Sequence, residues 1–424
     1  MATVYFETLG CSLNVSETEA MKGILSKYDF RLVDAPEDAY IIVINICTVK
    51  GDSTALKTIR KIHEAYPRKK FVVSGCITKT IMPKIKEIIP ECSLVSTQNI
   101  KDIVSVVEET INNNPVTVLG KSAEEKIDLP RIRKNPVIGI IPISSGCLGY
   151  CSYCSVKLIK GKLRSYPSEK IIKEVNQALR DGCKEIWLTS QDTGAYGQDI
   201  STNLVNLLKE IVKIDKKFMI RIGMMNPDHA LEMLNDLIEI YKNDKIFKFL
   251  HIPVQSGNDE ILKLMKRKYK VEDFIKIVDN FRNNFEHITI STDVIAGFPT
   301  ETKEQFNDSV KLIEKINPDV LNISRFSARP GTEAAKMEQL KGEETKERSR
   351  ALTQLFDWAA FRLNKEWEKW SGTILIDEVG KNNTSVGRNF AYKPIVVQGL
   401  YKLGDEITVK IVDATKHYLI GIKV

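Results

Sequence analysis

A chain of 424 residues, 43% hydrophobic and 28% charged, has the make-up of a globular protein of two or three domains with room for a large core. No apolar run is long enough for a membrane span, and the opening MATVYFETLG carries an acid where a signal peptide would be basic and then apolar, so a cytoplasmic protein is expected. In that compartment eight cysteines point to metal ligands or reactive thiols rather than disulfides.

The first ~115 residues alternate strand-like and helix-like runs, which predicts an open parallel sheet flanked by helices. TVYFETLGC, YIIVINIC and KFVVSGC read as strands. Helices are expected from about Asn14, over Ser53–Tyr66 and near Pro83–Ile89. Each strand runs into a cysteine: Cys11, Cys47 and Cys76. Ligands of open parallel sheets bind at the carboxyl ends of the strands, so cysteines 36 and 29 residues apart can converge on one metal site. Cys92 and Cys183 have no such partners and read as buried structural residues.

The domain boundaries expected are 1–118, a linker at 119–135 containing the charged, proline-bearing EEKIDLPRIRKNP, a β/α domain at 136–370 and a small β-barrel at 371–424. In the third segment strands are expected at Val137–Ser144, Lys184–Thr189, Phe218–Met224, Phe247–Val254, Ile288–Ile295 and Val320–Phe326, with helices between them. Six β/α units predict a partial TIM-like barrel with its reactive groups at the carboxyl strand ends. Those ends are polar: Gln191, Asp192 and Thr193; Arg221 and Asn226; His251, Gln255 and Ser256; Asp293 and Gly297; Arg325. Gly342–Trp370 reads as one long helix, with Leu352, Leu355, Phe356, Ala359, Leu363, Trp367 and Trp370 forming a stripe that packs on the barrel. Past Gly372 short strands broken by Gly and Asn predict an antiparallel barrel of a type common in nucleic-acid binding.

The net charge of +7 is uneven. From Gly120 to Lys173 there are eleven Lys or Arg against four acids, and KLIKGKLR carries Lys157, Lys160, Lys162 and Arg164 with no acid. This basic stretch follows SSGCLGYCSYCS, in which Cys147, Cys151 and Cys154 lie four and then three residues apart. Closed structural zinc takes four protein ligands, and a 4Fe–4S cluster normally takes four thiolates. Three thiols leave one coordination position for something else, and a basic surface beside them suits a polyanionic substrate.

Cys-x3-Cys-x2-Cys after the first barrel strand, with Tyr153 before the last cysteine, resembles the radical S-adenosylmethionine enzymes. With TLGCSLN, NICTV and SGC ahead of it and a terminal barrel behind, nearly the whole chain resembles the methylthiotransferases. TSQDTGAYGQD, RIGMMNP, FLHIPVQSGND and ARPGTEAAKM are similar to their archaeal and eukaryotic branch, which acts on N6-threonylcarbamoyladenosine next to the anticodon of tRNA. The resemblance implies two 4Fe–4S clusters. One, on Cys147, Cys151 and Cys154, would cleave S-adenosylmethionine to a radical; the other, on Cys11, Cys47 and Cys76, would carry the sulfur inserted at carbon 2 of adenine. It implies two molecules of S-adenosylmethionine per turnover, contacted by Tyr153, Gln191, Asp192, Arg221, Gln255 and Gly297. It also implies a flavodoxin- or ferredoxin-like electron donor and a C-terminal TRAM domain. tRNA contacts are expected at Lys157, Lys160, Lys162 and Arg164, and at Lys381, Arg388 and Lys393 in the TRAM-like barrel.

Gln191 departs from the Glu frequent in that branch and is similar to relatives that methylthiolate a ribosomal-protein aspartate. That activity stands as the alternative substrate. A tRNA-binding protein with structural metal only is the alternative from another class.

Overall fold

The computed structural model describes residues 1–47, 51–120 and 124–424. Thr48 and Val49 of the NICTV motif, and residues 121–123 of the expected linker, lie outside the described residues. The chain forms two compact units: Met1–Lys134 with Ile140–Cys147 and Ser155–Glu174, and Asn135–Gly139 with Leu148–Cys154 and Val175–Val424.

The first unit holds β1 (Thr3–Thr8), α1 (Ser12–Leu25), β2 (Arg31–Leu32), β3 (Ile41–Ile46), α2 (Asp52–Ala65), β4 (Lys70–Gly75), α3 (Ile81–Ile88), β5 (Ser93–Ser96), α4 (Ile103–Ile111) and β6 (Thr117–Val118). Its sheet runs β2-β1-β3-β4-β5-β6 with every pair parallel. β3 is buried along its whole length because helices cover both faces. Ile41 and Val43 pack with Met21, Leu25, Ile103 and Val107 on one side, and Ile42, Ile44 and Ile46 with Ile59, Ile81 and Ile85 on the other. The three expected strands are present, and the weaker β2, β5 and β6 extend the sheet beyond them.

Of the expected linker, the described residues up to Lys134 belong to the first unit and Asn135 to the second. The linker's Lys126 is buried, and its Arg131 pairs with Glu174 and donates to the Ser16 carbonyl at 2.7 Å. Beyond it the chain continues through β7 (Ile138–Pro142), β8 (Ser144–Ser145), α5 (Val156–Lys160), β9 (Arg164–Ser165) and α6 (Ser168–Arg180).

The second unit continues with β10 (Glu185–Thr189), α7 (Leu204–Val212), β11 (Met219–Ile222), α8 (Pro227–Glu232), α9 (Leu234–Tyr241), β12 (Phe249–His251), α10 (Asp259–Leu264), α11 (Val271–Asn284), β13 (Thr289–Ala296), α12 (Lys303–Ile316), β14 (Val320–Arg325) and α13 (Gly342–Lys365). β10–β11 and β12–β13–β14 pair in parallel, and a bridge from Ile220 to Ile246 joins the two sets. All six expected barrel strands exist.

β15 (Ser371–Val379), β16 (Thr384–Arg388), β17 (Pro394–Gln398), β18 (Glu406–Ala414) and β19 (Leu419–Lys423) close a barrel in the order β15-β16-β17-β19-β18. It is not wholly antiparallel, since β17 and β19 run parallel. The long helix ends at Lys365, short of Trp370. Its stripe divides: Leu352 is buried along the helix, whereas Trp367 is buried in the C-terminal barrel's core with Trp370 packed against it. The aromatic pair therefore belongs with the small barrel. Among the described residues no helix is long and apolar enough to cross a membrane.

Candidate active site

In the first unit β1, β3 and β4 are neighbours, so the loops that follow them lie side by side and bring Cys11, Cys47 and Cys76 together. Cys11 is the residue before α1, while Cys47 and Cys76 directly follow β3 and β4. Asn45 and Asn14 fix the first loop to the second strand. The Asn45 amide donates to the Asn14 carbonyl and to Thr18 Oγ1, both at 2.9 Å, and Asn14 Nδ2 donates to the Ile46 carbonyl at 3.0 Å. Gly10 adopts φ +127, and a Cβ there would lie 2.5 Å from Cys47 Cβ, so only glycine lets the two cysteine loops approach.

Cys47 is the centre of the group and hydrogen-bonds to both other thiols. Those bonds push the Cys47 pKa up and lower those of Cys11 and Cys76. A buried charge cluster lies close by. Glu17 Oε1 accepts from Lys126 Nζ at 2.5 Å, Lys160 Nζ at 3.1 Å and Thr97 Oγ1 at 2.5 Å. Burial raises the Glu17 pKa, but the two ammonium groups outweigh it and bring it to about 2. Lys160 also favours the thiolates of Cys11 and Cys76. Among the described residues no three Cys, His, Asp or Glu side chains form a ready-made single-ion site.

In the second unit Ser152 pins the radical motif. Its amide donates to the Met265 carbonyl at 3.1 Å, its hydroxyl to the Leu264 carbonyl at 2.7 Å, and its own carbonyl accepts from Ala334 at 2.8 Å. Cys154 N donates to the Cys151 carbonyl at 3.1 Å, closing the turn between these two thiols. Cys147 is described with the first unit, where its amide donates to the Gly161 carbonyl at 3.3 Å.

Three family descriptions match the chain: Uncharacterized protein family UPF0004 over residues 3–97, the Radical SAM superfamily over 141–313 and the TRAM domain over 372–424. A relative from Archaeoglobus fulgidus, named "Probable threonylcarbamoyladenosine tRNA methylthiotransferase", is 42% identical and covers 99% of this chain and 98% of its own. The threonylcarbamoyladenosine tRNA methylthiotransferases of Xenopus laevis and Homo sapiens are 39% and 38% identical over 99% of this chain and cover 76% and 73% of their own lengths. The chain belongs to the threonylcarbamoyladenosine tRNA methylthiotransferase family. Among solved structures, the radical S-adenosylmethionine methyltransferase TsrM from Kitasatospora setae shares the fold, with a TM-score of 0.58 and 14% identity over 79% of this chain and 74% of that one.

Within this methylthiotransferase, the expected cofactor contacts divide by environment. Tyr153 sits edge-on to Phe298 at 6.4 Å, and burial holds its hydroxyl protonated. Gln191 Oε1 is buried with no hydrogen-bond partner in the structure. Gln255 adopts φ +69 and continues the sheet edge, with its amide donating to the Asp293 carbonyl at 2.8 Å. The other three expected contacts also make contacts within the protein. Asp192 is buried, and its carboxylate accepts from the Gly194 and Asn226 amides at 3.1 Å and from Asn226 Nδ2 at 2.6 Å, so it organises the strand end. Arg221 faces an aromatic cage, 5.0 Å from the Trp187 and Phe249 rings and 5.3 Å from the ring of Tyr392. Gly297 lies against α13, where a Cβ would come within 2.6 Å of Thr345 Oγ1.

The basic residues divide as well. Lys162, Arg164 and Lys381 are exposed, and Lys157 is half-buried. Lys160 is buried in the Glu17 cluster. Lys393 is buried and pairs with Asp319 at 2.7 Å, and Arg388 pairs with Asp377 at 3.0 Å while lying 5.0 Å from the Tyr392 ring. Lys160 and Lys393 are thus buried in ion pairs, and Arg388 is half-buried in one.

Sequence reasoning missed Arg267. Its Nη1 donates to Cys151 Sγ at 3.1 Å and its Nε to the Tyr269 hydroxyl at 3.0 Å, and Nη2 donates to Asn226 Oδ1. In the sequence it stands inside MKRKYK, where nothing separates it from solvated neighbours. Glu17 and Lys126 were missed for the same reason, since each lies in a polar stretch.

Proposed function

We propose that this chain converts N6-threonylcarbamoyladenosine in tRNA to its 2-methylthio derivative, with Cys147, Cys151 and Cys154 holding one 4Fe–4S cluster and Cys11, Cys47 and Cys76 holding a second. The observation that carries the second cluster is the meeting of three thiols at adjoining strand ends in the first unit. The donor set fits: all three donors are soft sulfur, Gly10 keeps the loops close, and buried Lys160 favours the ionised form in which thiols bind iron. When bound, the clusters and S-adenosylmethionine supply the radical, the sulfur and the methyl group.

The residues of the chain position and shield. Ser152 fixes the loop bearing Cys151 and Cys154. Asp192 and Asn226 order the strand ends around it. Tyr153, Gln191, Asp192, Arg221, Gln255 and Gly297 are the candidate cofactor contacts; of these, the buried and unpartnered Gln191 Oε1 is an acceptor suited to a bound hydroxyl or ammonium group. Lys157, Lys162, Arg164 and Lys381 are the candidate phosphate contacts. The electron comes from a low-potential flavodoxin- or ferredoxin-like donor.

Mass spectrometry of nucleosides tests this reading. tRNA carrying the threonylcarbamoyl group is incubated with reconstituted protein, S-adenosylmethionine and reductant. The 2-methylthio nucleoside is expected, with little product from tRNA lacking the threonylcarbamoyl group, because a pocket built for polar groups rejects the analogue that leaves them unpaired. Equal turnover of both tRNAs would defeat the substrate assignment, as would modification of a ribosomal protein alone.

A further inference from the structure

We propose that Arg267 is a positioning residue for the radical cluster: it holds the Cys151 sulfur and raises the cluster's reduction potential. This rests on the reading that Cys147, Cys151 and Cys154 ligate iron.

The geometry is specific. The guanidinium is half-buried, and its three directions are each used: Cys151 Sγ at 3.1 Å, the Tyr269 hydroxyl at 3.0 Å and Asn226 Oδ1. Its partners are themselves fixed. Tyr269 donates to the Val254 carbonyl at 2.8 Å, which turns its oxygen lone pairs toward Arg267. Asn226 is fixed through Nδ2 by the Asp192 carboxylate at 2.6 Å, so its Oδ1 is left to accept from Arg267. The Arg267 Cζ also lies 4.9 Å from the Tyr269 ring. Asp192, expected to touch the cofactor, therefore acts two residues removed, by orienting the amide that orients the guanidinium.

The chemistry follows from charge. A phenol and an amide are neutral acceptors, and a partly desolvated cation served only by these is costly. A cluster-bound thiolate at Cys151 would supply the missing negative charge. A cation donating to a cluster sulfur stabilises the reduced state, which carries one more electron, over the oxidised state. Arg267 thus favours acceptance of the electron that the reaction needs. A guanidinium placed only to fill space would have no such effect on the couple.

The test uses the full chain carrying Cys11→Ala, Cys47→Ala and Cys76→Ala, so that one cluster remains, reconstituted anaerobically and titrated with dithionite under EPR. Arg267→Gln is expected to keep the parent's iron content. Its reduced-to-oxidised ratio at fixed potential should fall about tenfold, a shift of about 59 mV to more negative values for a one-electron couple. Arg267→Lys should recover most of the shift. A parent potential in Arg267→Gln overturns the proposal, as does an Arg267→Lys protein shifted as far as Arg267→Gln. Should Arg267→Gln hold less iron, Asn226→Ala gives the second reading: a smaller shift in the same direction supports the proposal, and an unchanged potential overturns it. If the three-Ala parent takes up no iron at all, the cluster reading fails and takes this inference with it.

Discussion

The two groups of cysteines are built in opposite ways. Cys11, Cys47 and Cys76 come from three strand ends that the parallel sheet sets side by side, and they meet through hydrogen bonds to one another. Cys151 and Cys154 sit in one short turn, pinned by Ser152 and approached by Arg267. The first group is a product of topology, so its geometry depends on the stability of the whole sheet. The second is a product of local sequence, so its geometry depends on the few side chains that hold the turn.

Single substitutions in the two groups break this comparison most directly. Cys151→Ala is expected to reduce cleavage of S-adenosylmethionine to background. Cys47→Ala should retain cleavage without the attached product, and its iron content should fall to about half if each group holds a four-iron cluster. Iron analysis, 5′-deoxyadenosine formation and nucleoside mass spectrometry on the same samples give the result. Loss of cleavage in both variants would show that the two groups are not separable.

The next largest effect concerns the sheet. Glu17→Ala leaves Lys126 and Lys160 buried without their shared carboxylate, and removing one partner of a buried ion pair costs about 3–5 kcal/mol. Denaturant unfolding should show that loss, with reduced iron at the first group. The matching change Ser152→Ala in the second unit removes one hydroxyl hydrogen bond and should cost about 1 kcal/mol. Equal losses would contradict the contrast between a site built by topology and one built by local sequence.

Acid sharpens the same point. The Glu17 pKa is depressed from 4.5 to about 2, so the stability it contributes is complete above 4.5 and is lost as pH falls toward 2. The parent should lose stability through that window, and Glu17→Gln should show a flatter profile there. Identical slopes would mean that the carboxylate is not held ionised by Lys126 and Lys160.

Much of this architecture was legible in the sequence because apolar runs report burial directly. YIIVINIC reads as a central strand, and such a strand must end at the ligand-binding edge of a parallel sheet. The six barrel strands were legible for the same reason. Side-chain partners were not. Lys160 and Lys162 stand two residues apart in one basic run, yet one is buried against Glu17 and the other is exposed, because α5 ends between them. Arg388 and Lys393 read as a barrel's basic surface, but their partners Asp377 and Asp319 lie 11 and 74 residues away. Trp367 fits a helical stripe equally well whichever core it joins. Periodicity gives the face of an element, and only the fold gives the neighbour.

The smallest predicted effect uses that distinction between exposed and buried cations. Contacts to phosphate set affinity and salt dependence, and each one lost lowers the slope of log K against log salt by about 0.7–0.9. Lys162→Glu combined with Arg164→Glu should therefore weaken tRNA binding and flatten its salt dependence, without altering the protein's unfolding free energy by more than about 0.5 kcal/mol. Lys393→Met should do the reverse. It leaves Asp319 and Asn364 without their ammonium partner, so stability falls while the salt slope of the folded protein is kept. Lys160→Met should likewise leave the slope unchanged and lower iron retention at the first group. Binding curves at several salt concentrations, paired with unfolding curves on the same variants, separate the two classes. An unchanged slope in the Lys162 and Arg164 double variant would remove the segment after the radical motif from the RNA surface.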